Sequence, residues 1–231
     1  MGGGNMIITI DGPAGTGKST VAQTVAERLH LDFLDTGAMY RAVGLEVLRR
    51  NAKLDDPRGL AFIAEHCRIE FDYAIRPPGV LLNGQPVGHL LRGKDATTAA
   101  SFVAVVPAIR EQLVRQQQDI GRKHPNLVTE GRDQGTVVFP DAALKFFLDA
   151  TPQERARRRV SQLRGRGEIV EYNEVLKDIA TRDERDRNRP VGPLKPPADA
   201  EMIDTTTLTQ SQVIEQIVAR AKRYQEAGQR A

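Results

Sequence analysis

The 231-residue sequence contains no tryptophan and only one cysteine, Cys67. A single cysteine cannot form an intramolecular disulfide, which fits a reducing compartment. No apolar run approaches the roughly 18 residues needed to cross a bilayer. Residues 1–5, Met-Gly-Gly-Gly-Asn, lack the basic and apolar regions of a signal peptide. We therefore expect a cytoplasmic protein that has no membrane partner.

A strong charge of either sign is also missing. The formal net charge is +3 at pH 7, and aromatic residues form 5% of the chain. Proteins that bind nucleic acids usually combine a strongly basic surface with aromatic side chains on which bases stack. We therefore expect no nucleic-acid partner. The arginine-rich stretches within 155–166 and 182–189 keep a nucleotide-dependent RNA- or DNA-binding module open as an alternative, which steeply salt-dependent binding would support.

One stretch near the start carries the clearest motif. Residues 12–19, Gly-Pro-Ala-Gly-Thr-Gly-Lys-Ser, fit the phosphate-binding loop pattern G-x-x-x-x-G-K-S. The β-branched run 6–10 before it predicts a buried strand, and Val21, Val25 and Leu29 after it share one helical face. The backbone N–H groups of such a loop surround phosphates at a helix N-terminus.

The residues predicted to bind the nucleotide phosphates are Gly12, Pro13, Ala14, Gly15, Thr16, Gly17, Lys18, Ser19 and Thr20. Lys18 is expected to reach the β- and γ-phosphates, and the Ser19 hydroxyl is expected to bind Mg²⁺.

The rest of the chain alternates between extended and helical patterns. Short apolar runs predict strands at 31–34, 127–129, 144–148 and 202–204. Helical patterns follow them at about 38–50, 58–67, 94–104, 107–122, 152–164, 171–188 and 209–227. Alternation of this kind, with a loop-bearing first strand, indicates an α/β fold with a doubly wound parallel sheet.

One segment interrupts the alternation. Residues 68–73 alternate in polarity, and Asn83-Gly84 between two short apolar runs is a hairpin signal. We predict a small antiparallel sheet at about 68–88, inserted into the α/β chain as a subdomain.

Three polar clusters follow strands or lie on helices that can converge on the carboxyl ends of the strands, where ligands of such sheets bind. They are residues 35–41, 130–133 and 182–189.

Together these pieces resemble the bacterial cytidylate kinases, within the nucleoside monophosphate kinase family. The matching segments are the phosphate loop, residues 36–41, Ala100-Ser101 with Arg110, and residues 130–141 and 185–189; the small inserted sheet matches as well. The sequence departs from the family pattern at Thr36, where Ser is common, and at Glu130, where Asp is common.

The resemblance covers nearly the whole chain and implies a P-loop fold of the nucleoside monophosphate kinase type. It implies transfer of a phosphoryl group from ATP, with Mg²⁺ as cofactor, to CMP or dCMP. The expected divisions are a core (6–34, 123–154 and 190–231), a monophosphate-binding region (35–122, with the insert at about 68–93) and a short helical lid with arginine-rich helices (155–189). We expect a monomer.

The resemblance also implies roles for the arginines. Arg41, Arg132 and Arg189 would hold the acceptor phosphate, and Arg158 would belong to a lid over ATP. Lys18, Arg132, Arg158 and Arg189 are therefore the expected catalytic residues. A phosphate monoester is largely dianionic at neutral pH, so no general base is needed. The alternative for the lid arginines is a solvated helix face.

The acceptor base would be recognised by Ser101, Arg110 and Asp133. A carboxylate can accept a hydrogen bond from cytosine N4 while an arginine donates to O2 or N3. Thr36 and Tyr40 would line the acceptor site, and Arg182 and Asp186 would contact the ribose. The alternatives are a packing role for Ser101, a loop cap for Asp133 and a plain i, i+4 ion pair for Arg182 with Asp186.

A small-molecule kinase with the same type of sheet, acting on shikimate or on another monophosphate, is a second enzymatic interpretation. It predicts no preference for cytosine.

Overall fold

The computed structural model describes residues 5–91 and 93–228 and contains five parallel strands in one sheet. Residues 1–4 of the expected leader, Arg92 in the predicted insert and residues 229–231 of the predicted core range lie outside the described residues. The strands are β1 Met6–Asp11, β2 Asp32–Asp35, β6 Asn126–Gly131, β7 Leu144–Asp149 and β8 Glu201–Asp204, in the order β2-β6-β1-β7-β8. The predicted doubly wound α/β fold is confirmed.

Helices cover both faces of this sheet. The helices of the described residues are α1 Lys18–Leu29, α2 Thr36–Arg49, α3 Pro57–Glu65, α4 Lys94–Val103, α5 Pro107–Lys123, α6 Pro152–Arg164, α7 Tyr172–Asn188 and α8 Gln210–Gly228. Of these, α6 and α7 pack their apolar side chains against each other. On one face, Ile8 and Ile10 of β1 pack with α1 and α8. On the other face, Leu34 and Leu127 pack with α2 and α5. Burial of apolar side chains on both faces stabilises the central strands and fixes their carboxyl ends in space.

Local capping sets where two site-bearing helices begin. Asp35 is the N-cap of α2, and its Oδ1 accepts a hydrogen bond from the Ala38 N–H (2.8 Å). Thr151 is the N-cap of α6, where its Oγ1 accepts from the Glu154 N–H (3.3 Å) and Pro152 occupies the first helical position. Both side chains satisfy backbone donors that a helix N-terminus leaves free.

The predicted antiparallel insert is present and has three strands, β3 Ile69–Asp72, β4 Gly79–Leu82 and β5 Gln85–Pro86. Asn83 (φ 53°) and Gly84 (φ 78°) form the tight turn that the Asn-Gly pair predicts. The insert contacts the end of α5 through Tyr73, whose ring stacks on His124 at 3.9 Å between centroids.

One element has no counterpart in the sequence predictions. The backbone after Asp133 forms a π-helical turn, Gln134–Val138, directly after β6. Asp11, the last residue of β1, accepts hydrogen bonds from the N–H groups of Gln134 (2.9 Å) and Gly135 (2.8 Å). The turn is therefore attached to the strand that carries the phosphate loop.

Within the described residues, every helix is too short or too polar to span a lipid bilayer.

Candidate active site

The phosphate loop occupies residues 12–17, between β1 and α1. Gly12 (φ 147°), Gly15 (φ 84°) and Gly17 (φ 90°) adopt backbone angles that side chains disfavour. A Cβ on Gly12 would also collide with the backbone oxygen of Leu148 on β7. The loop therefore needs glycine both for its curvature and for its close approach to the sheet.

Inside the loop, two side chains are turned toward its own backbone. Lys18 Nζ donates to the Pro13 carbonyl (2.7 Å), and Thr16 Oγ1 donates to the same oxygen (3.2 Å). Burial and, to a smaller extent, the positive charge of Arg132 together lower the pKa of Lys18 to about 7. An anion in the loop would oppose both effects and favour the charged ammonium. Ala14 lies between Pro13 and Thr16 in the loop, and its carbonyl accepts a hydrogen bond from Arg155 Nη1 (3.1 Å).

A hydroxyl and a carboxylate meet beside the loop. Ser19 Oγ donates to Glu130 Oε1 (2.7 Å), which joins the start of α1 to the end of β6. Burial raises the pKa of Glu130, and the nearby charge of Asp35 raises it further. Hydroxyl and carboxylate oxygens are ligands that Mg²⁺ prefers, so this pair fits a magnesium site next to bound phosphates. Thr20 is exposed on the same turn of α1.

Cationic side chains from α1, α2, α6, α7 and the segment after β6 lie close enough to influence one another electrostatically. We call Lys18, Arg41, Arg132, Arg159 and Arg182 the cationic cluster. The pKa of Arg182 falls to about 10 because of burial and the positive field of Arg132, with smaller contributions from Arg41 and Arg159. Cations placed this close repel one another, so the arrangement favours binding of a polyanion.

A second group of side chains lies beside the cationic cluster. This Asp133 cluster consists of Tyr40, Arg110, Asp133, Asp186 and Arg189. Arg110 Nη2 is paired with Asp133 Oδ2, and Arg189 Nη2 lies 3.4 Å from Asp133 Oδ1. Arg110 is 1% exposed and Asp133 4% exposed, and the Tyr40 ring lies 5.5 Å from the Arg110 guanidinium. A buried carboxylate between two guanidinium groups can exchange one arginine contact for a polar ligand.

Asp186 connects the two clusters. Its Oδ2 accepts from Arg132 Nε (2.8 Å), and its Oδ1 lies 3.8 Å from Arg189 Nη1. Burial alone would raise the pKa of Asp186, but Arg132, Arg182 and Arg189 outweigh it and lower the pKa. At Arg132, the negative charges of Asp186 and Glu130 outweigh the effect of burial and raise the pKa of the guanidinium. Both groups therefore remain charged at neutral pH.

Some predicted residues have other contacts. Thr36 is buried and donates from Oγ1 to the Glu130 carbonyl (2.7 Å), so it joins α2 to β6. Ser101 donates to the Thr98 carbonyl (2.7 Å) and lies 3.4 Å from Arg185 Nη1. Arg41 pairs with the Asp35 carboxylate (2.8 Å) at the mouth of the site.

Arg158 points away from the cationic cluster. Its Nε donates to Glu154 Oε1 (2.8 Å) and its Nη1 to Thr205 Oγ1 (3.0 Å). It lines an open cavity of about 370 Å³ together with Gly17, Arg157 and residues 206–210. The next residue, Arg159, is the α6 arginine whose pKa is lowered by burial and by Arg166 and Arg41.

Sequence reasoning missed Arg159 and Arg155 at this site. Arg155 is 1% exposed, pairs with Asp183 of α7 (2.7 Å) and donates to the Ala14 carbonyl of the phosphate loop. The only feature of Arg155 in the sequence is its position in a run of arginines. Such a run does not show which arginine is buried and which are exposed to solvent.

The fold and the site together define a class of protein. A glycine loop with its lysine at the end of a parallel strand, opposed by a cationic cluster, is the arrangement of a P-loop phosphotransferase.

The comparisons with known proteins define the family. A family model described as cytidylate kinase matches residues 8–223. A cytidylate kinase of Pectobacterium carotovorum is 43% identical over 218 residues, which cover 94% of this chain and 95% of the relative. Cytidylate kinase 1 of Haemophilus influenzae is 44% identical over 218 residues, with 94% of each chain covered. The chain belongs to the cytidylate kinase family.

A solved structure supports the fold alone. An uncharacterized protein from Eubacterium ventriosum superposes with a TM-score of 0.52 at 12% sequence identity, covering 95% of this chain and 99% of the other.

Proposed function

We propose that this enzyme transfers the γ-phosphoryl group of ATP to CMP and dCMP, forming CDP and dCDP. The single observation that carries the proposal is the placement of two sites on adjacent strands. The phosphate loop follows β1, Asp133 with its cluster lies just after the neighbouring strand β6, and Arg132 of the cationic cluster lies beside Asp133.

The donor nucleotide would occupy the loop and the cavity beside it. The backbone N–H groups of residues 12–17 and the Lys18 ammonium would hold its phosphates. Its adenosine part would enter the cavity that Arg158 lines. Mg²⁺ would be held by Ser19 and Glu130, and when bound it would neutralise charge on the β- and γ-phosphates.

The acceptor phosphate would bind among Arg41, Arg132, Arg182 and Arg189. Its second pKa is about 6, so it is largely dianionic at neutral pH and can attack without a general base. What the reaction requires is an in-line approach of two polyanions and cancellation of their charge. These four guanidinium groups would supply that cancellation, because each can hold two phosphate oxygens in one plane.

The cytosine base would be recognised by the Asp133 cluster. Asp133 would accept a hydrogen bond from N4, while Arg110 would donate to N3 or O2. Uracil presents an oxygen at position 4, so the same carboxylate would face a second acceptor and the buried group would stay unpaired. Tyr40 and Ser101 would border the base, and Asp186 would accept from a ribose hydroxyl.

We also propose that different parts of the chain have different functions. Residues 6–34, 123–154 and 190–231 form the core, residues 35–122 bind the monophosphate, and residues 155–189 act as the lid. We further propose that the enzyme works as a monomer in the cytoplasm, where the buried thiol of Cys67 would stay reduced.

The decisive experiment is a measurement of ADP formation from MgATP with CMP, dCMP, UMP, AMP or shikimate as acceptor. We expect CMP and dCMP to be the preferred acceptors and omission of Mg²⁺ to abolish turnover. A preference for UMP, AMP or shikimate would contradict the proposal. RNA or DNA binding without phosphoryl transfer would favour the nucleic-acid alternative instead.

A further inference from the structure

Asp11 is a buried carboxylate to which the proposed function gives no task. It is the last residue of β1, directly before the first glycine of the phosphate loop, and it is 0% exposed. Its Oδ1 accepts from the Gln134 N–H (2.9 Å), and its Oδ2 accepts from the Gly135 N–H (2.8 Å). Both carboxylate oxygens of Asp11 therefore bind the same short backbone segment, residues 134–135.

That segment carries Asp133. The Asp133 carbonyl accepts from the N–H groups of Val137 (2.9 Å) and Val138 (3.2 Å), so Asp133 belongs to the same π-helical turn. The side chain of Gln134 adds a second attachment, because its Oε1 accepts from Thr129 Oγ1 (2.9 Å). The direction of the Asp133 carboxylate therefore depends on how this turn is held.

The turn also lies directly against β1. A Cβ on Gly135 would come within 2.8 Å of Thr9 Oγ1 and within 2.8 Å of Pro197 Cγ. Contacts this short leave no room for a side chain at Gly135, so a larger residue there would push the turn away from the strand.

Keeping a carboxylate here is energetically costly. Burial and, to a smaller extent, the nearby charge of Asp133 raise the pKa of Asp11 to about 7, against the opposing effect of the two N–H groups. Asparagine, a neutral residue of similar size, would avoid this cost but has only one acceptor atom, so it could not accept one hydrogen bond on each of two atoms as Asp11 does.

We propose that Asp11 is a positioning residue for acceptor selectivity, which fixes the π-helical turn so that Asp133 faces the acceptor base between Arg110 and Arg189. The inference rests on the proposed reading of cytosine by Asp133. Asp11 acts through the turn and does not touch either nucleotide. The strand that ends in the donor loop therefore also orients the group that selects the acceptor.

The test is the Asp11→Asn variant, assayed for kcat/KM with CMP and with UMP. Asparagine keeps the size and one acceptor oxygen but places an amide donor against a backbone N–H. We expect the CMP/UMP ratio to fall about tenfold or more, as for a lost buried hydrogen bond. The change should lie mainly in the KM for CMP, while the KM for ATP stays within about twofold.

A double-mutant cycle separates positioning from general loosening. If Asp11 acts through Asp133, adding Asp11→Asn to Asp133→Asn should leave the CMP/UMP ratio where Asp133→Asn alone puts it. Thr9→Val is the matched control, since Thr9 is equally buried on β1 and its hydroxyl has no hydrogen-bond partner among the described residues. It should retain the wild-type ratio.

If Asp11→Asn does not fold, Gly135→Ala displaces the same turn and should lower the ratio in the same direction. An unchanged ratio in folded Asp11→Asn or Gly135→Ala, or an equal drop in the Asp133→Asn background, would overturn the positioning role. A wild-type enzyme without a CMP preference, or an Asp133→Asn variant that keeps it, would instead count against the proposed function.

Discussion

Gly192 is the residue whose replacement should affect the acceptor site most directly. Its φ is 58°, and a Cβ there would collide with the Asp133 carboxylate and come within 2.7 Å of Arg110 Nη2. We expect Gly192→Ala to raise the KM for CMP about tenfold or more, because the buried pair must separate. The KM for ATP should not change.

Gly84→Ala provides the matched control. Gly84 has a similar φ of 78°, but a Cβ there would meet nothing within 4 Å. It shares the backbone strain without the collision and should keep normal kinetics. Equal effects in the two variants would show that strain, and not displacement of Asp133, explains the loss.

Asp11 also predicts a dependence of stability on pH. Its pKa is about 7 in the folded chain against an ordinary 3.8, so the folded state holds a proton that the unfolded state has lost between these values. The contribution of Asp11 to the free energy of unfolding should therefore be largest below pH 4 and decline as the pH rises to about 7.

Urea unfolding of the wild type and Asp11→Asn at pH 5 and pH 8 tests this. The stability of the wild type relative to the variant should be lower at pH 8 than at pH 5. A difference that stays constant across this range would show that the Asp11 pKa is not raised.

For individual residues, sequence motifs predicted several side chains that lie close together in the structure. They did not predict the directions in which several of these side chains point. Lys18, Arg132 and Asp133 follow from local patterns beside glycines and strand ends. Sequence reasoning selected Arg158, whereas Arg159 is the neighbour that lies near Arg41 and Arg182. Adjacent helical residues point in different directions, and only the packing of α6 determines which one faces these arginines. Asp11 gave no signal, since its partners lie more than 120 residues away in sequence.

Among the elements, α6 is joined to α7 by a buried ion pair of Arg155, and the same arginine donates a hydrogen bond to the phosphate loop. Arg155 pairs with Asp183 of α7, and both side chains are less than 5% exposed. Arg155→Met should lower the free energy of unfolding by about 3–5 kcal/mol, because it leaves a buried carboxylate unpaired. It should also raise the KM for ATP, since the contact with the Ala14 carbonyl is lost.

The double variant Arg155→Met/Asp183→Leu serves as the control for this prediction. Removing both charges should restore most of the stability, while the KM for ATP should remain raised. Urea unfolding and steady-state kinetics measure the two effects. A normal KM for ATP in the single variant would exclude a role of Arg155 in holding the loop.

Elements with local signals were predictable, and those built by distant contacts were not. The Thr151-Pro152 start of α6 and the Asn83-Gly84 hairpin follow from capping and turn chemistry. The π-helical turn at Gln134–Val138 has no such chemistry in its own residues. It depends on the Asp11 carboxylate, which belongs to another strand.

At the scale of the whole molecule, the cationic cluster should lower the stability of the fold, because its like charges repel one another. The same charges are those proposed to bind the substrate. Arg182 lies among other cations, which contribute to its lowered pKa. We expect Arg182→Gln to leave the thermal midpoint unchanged or raise it, because repulsion is relieved. The same change should lower kcat/KM for CMP about tenfold or more, since a charged hydrogen bond to the substrate is lost.

Arg122→Gln is the matched control, because Arg122 is a largely exposed arginine of α5 paired with Asp119. It should alter neither the thermal midpoint nor the kinetics. A clear fall of the midpoint in Arg182→Gln would mean that Arg182 serves the structure.

The α/β class of the molecule could be predicted from alternating patterns, but the strand order could not. The order β2-β6-β1-β7-β8 places β6, which begins at Asn126, beside β1, which begins at Met6. Hydrophobic periodicity reports which face of a strand is buried and not which strand lies next to it.

The pairing of β1 with β6 has a consequence for the distance that the phosphoryl group must travel. Asp11 lies opposite Gly131, so the phosphate loop and the segment that carries Arg132 and Asp133 leave the sheet from neighbouring backbone positions. Adjacent strands are about 4.8 Å apart, and backbone hydrogen bonds maintain that interval whatever side chains are exchanged. In the proposed arrangement, the sheet therefore sets the distance between the two nucleotides, and substitutions would change the binding of either one far more easily than their separation.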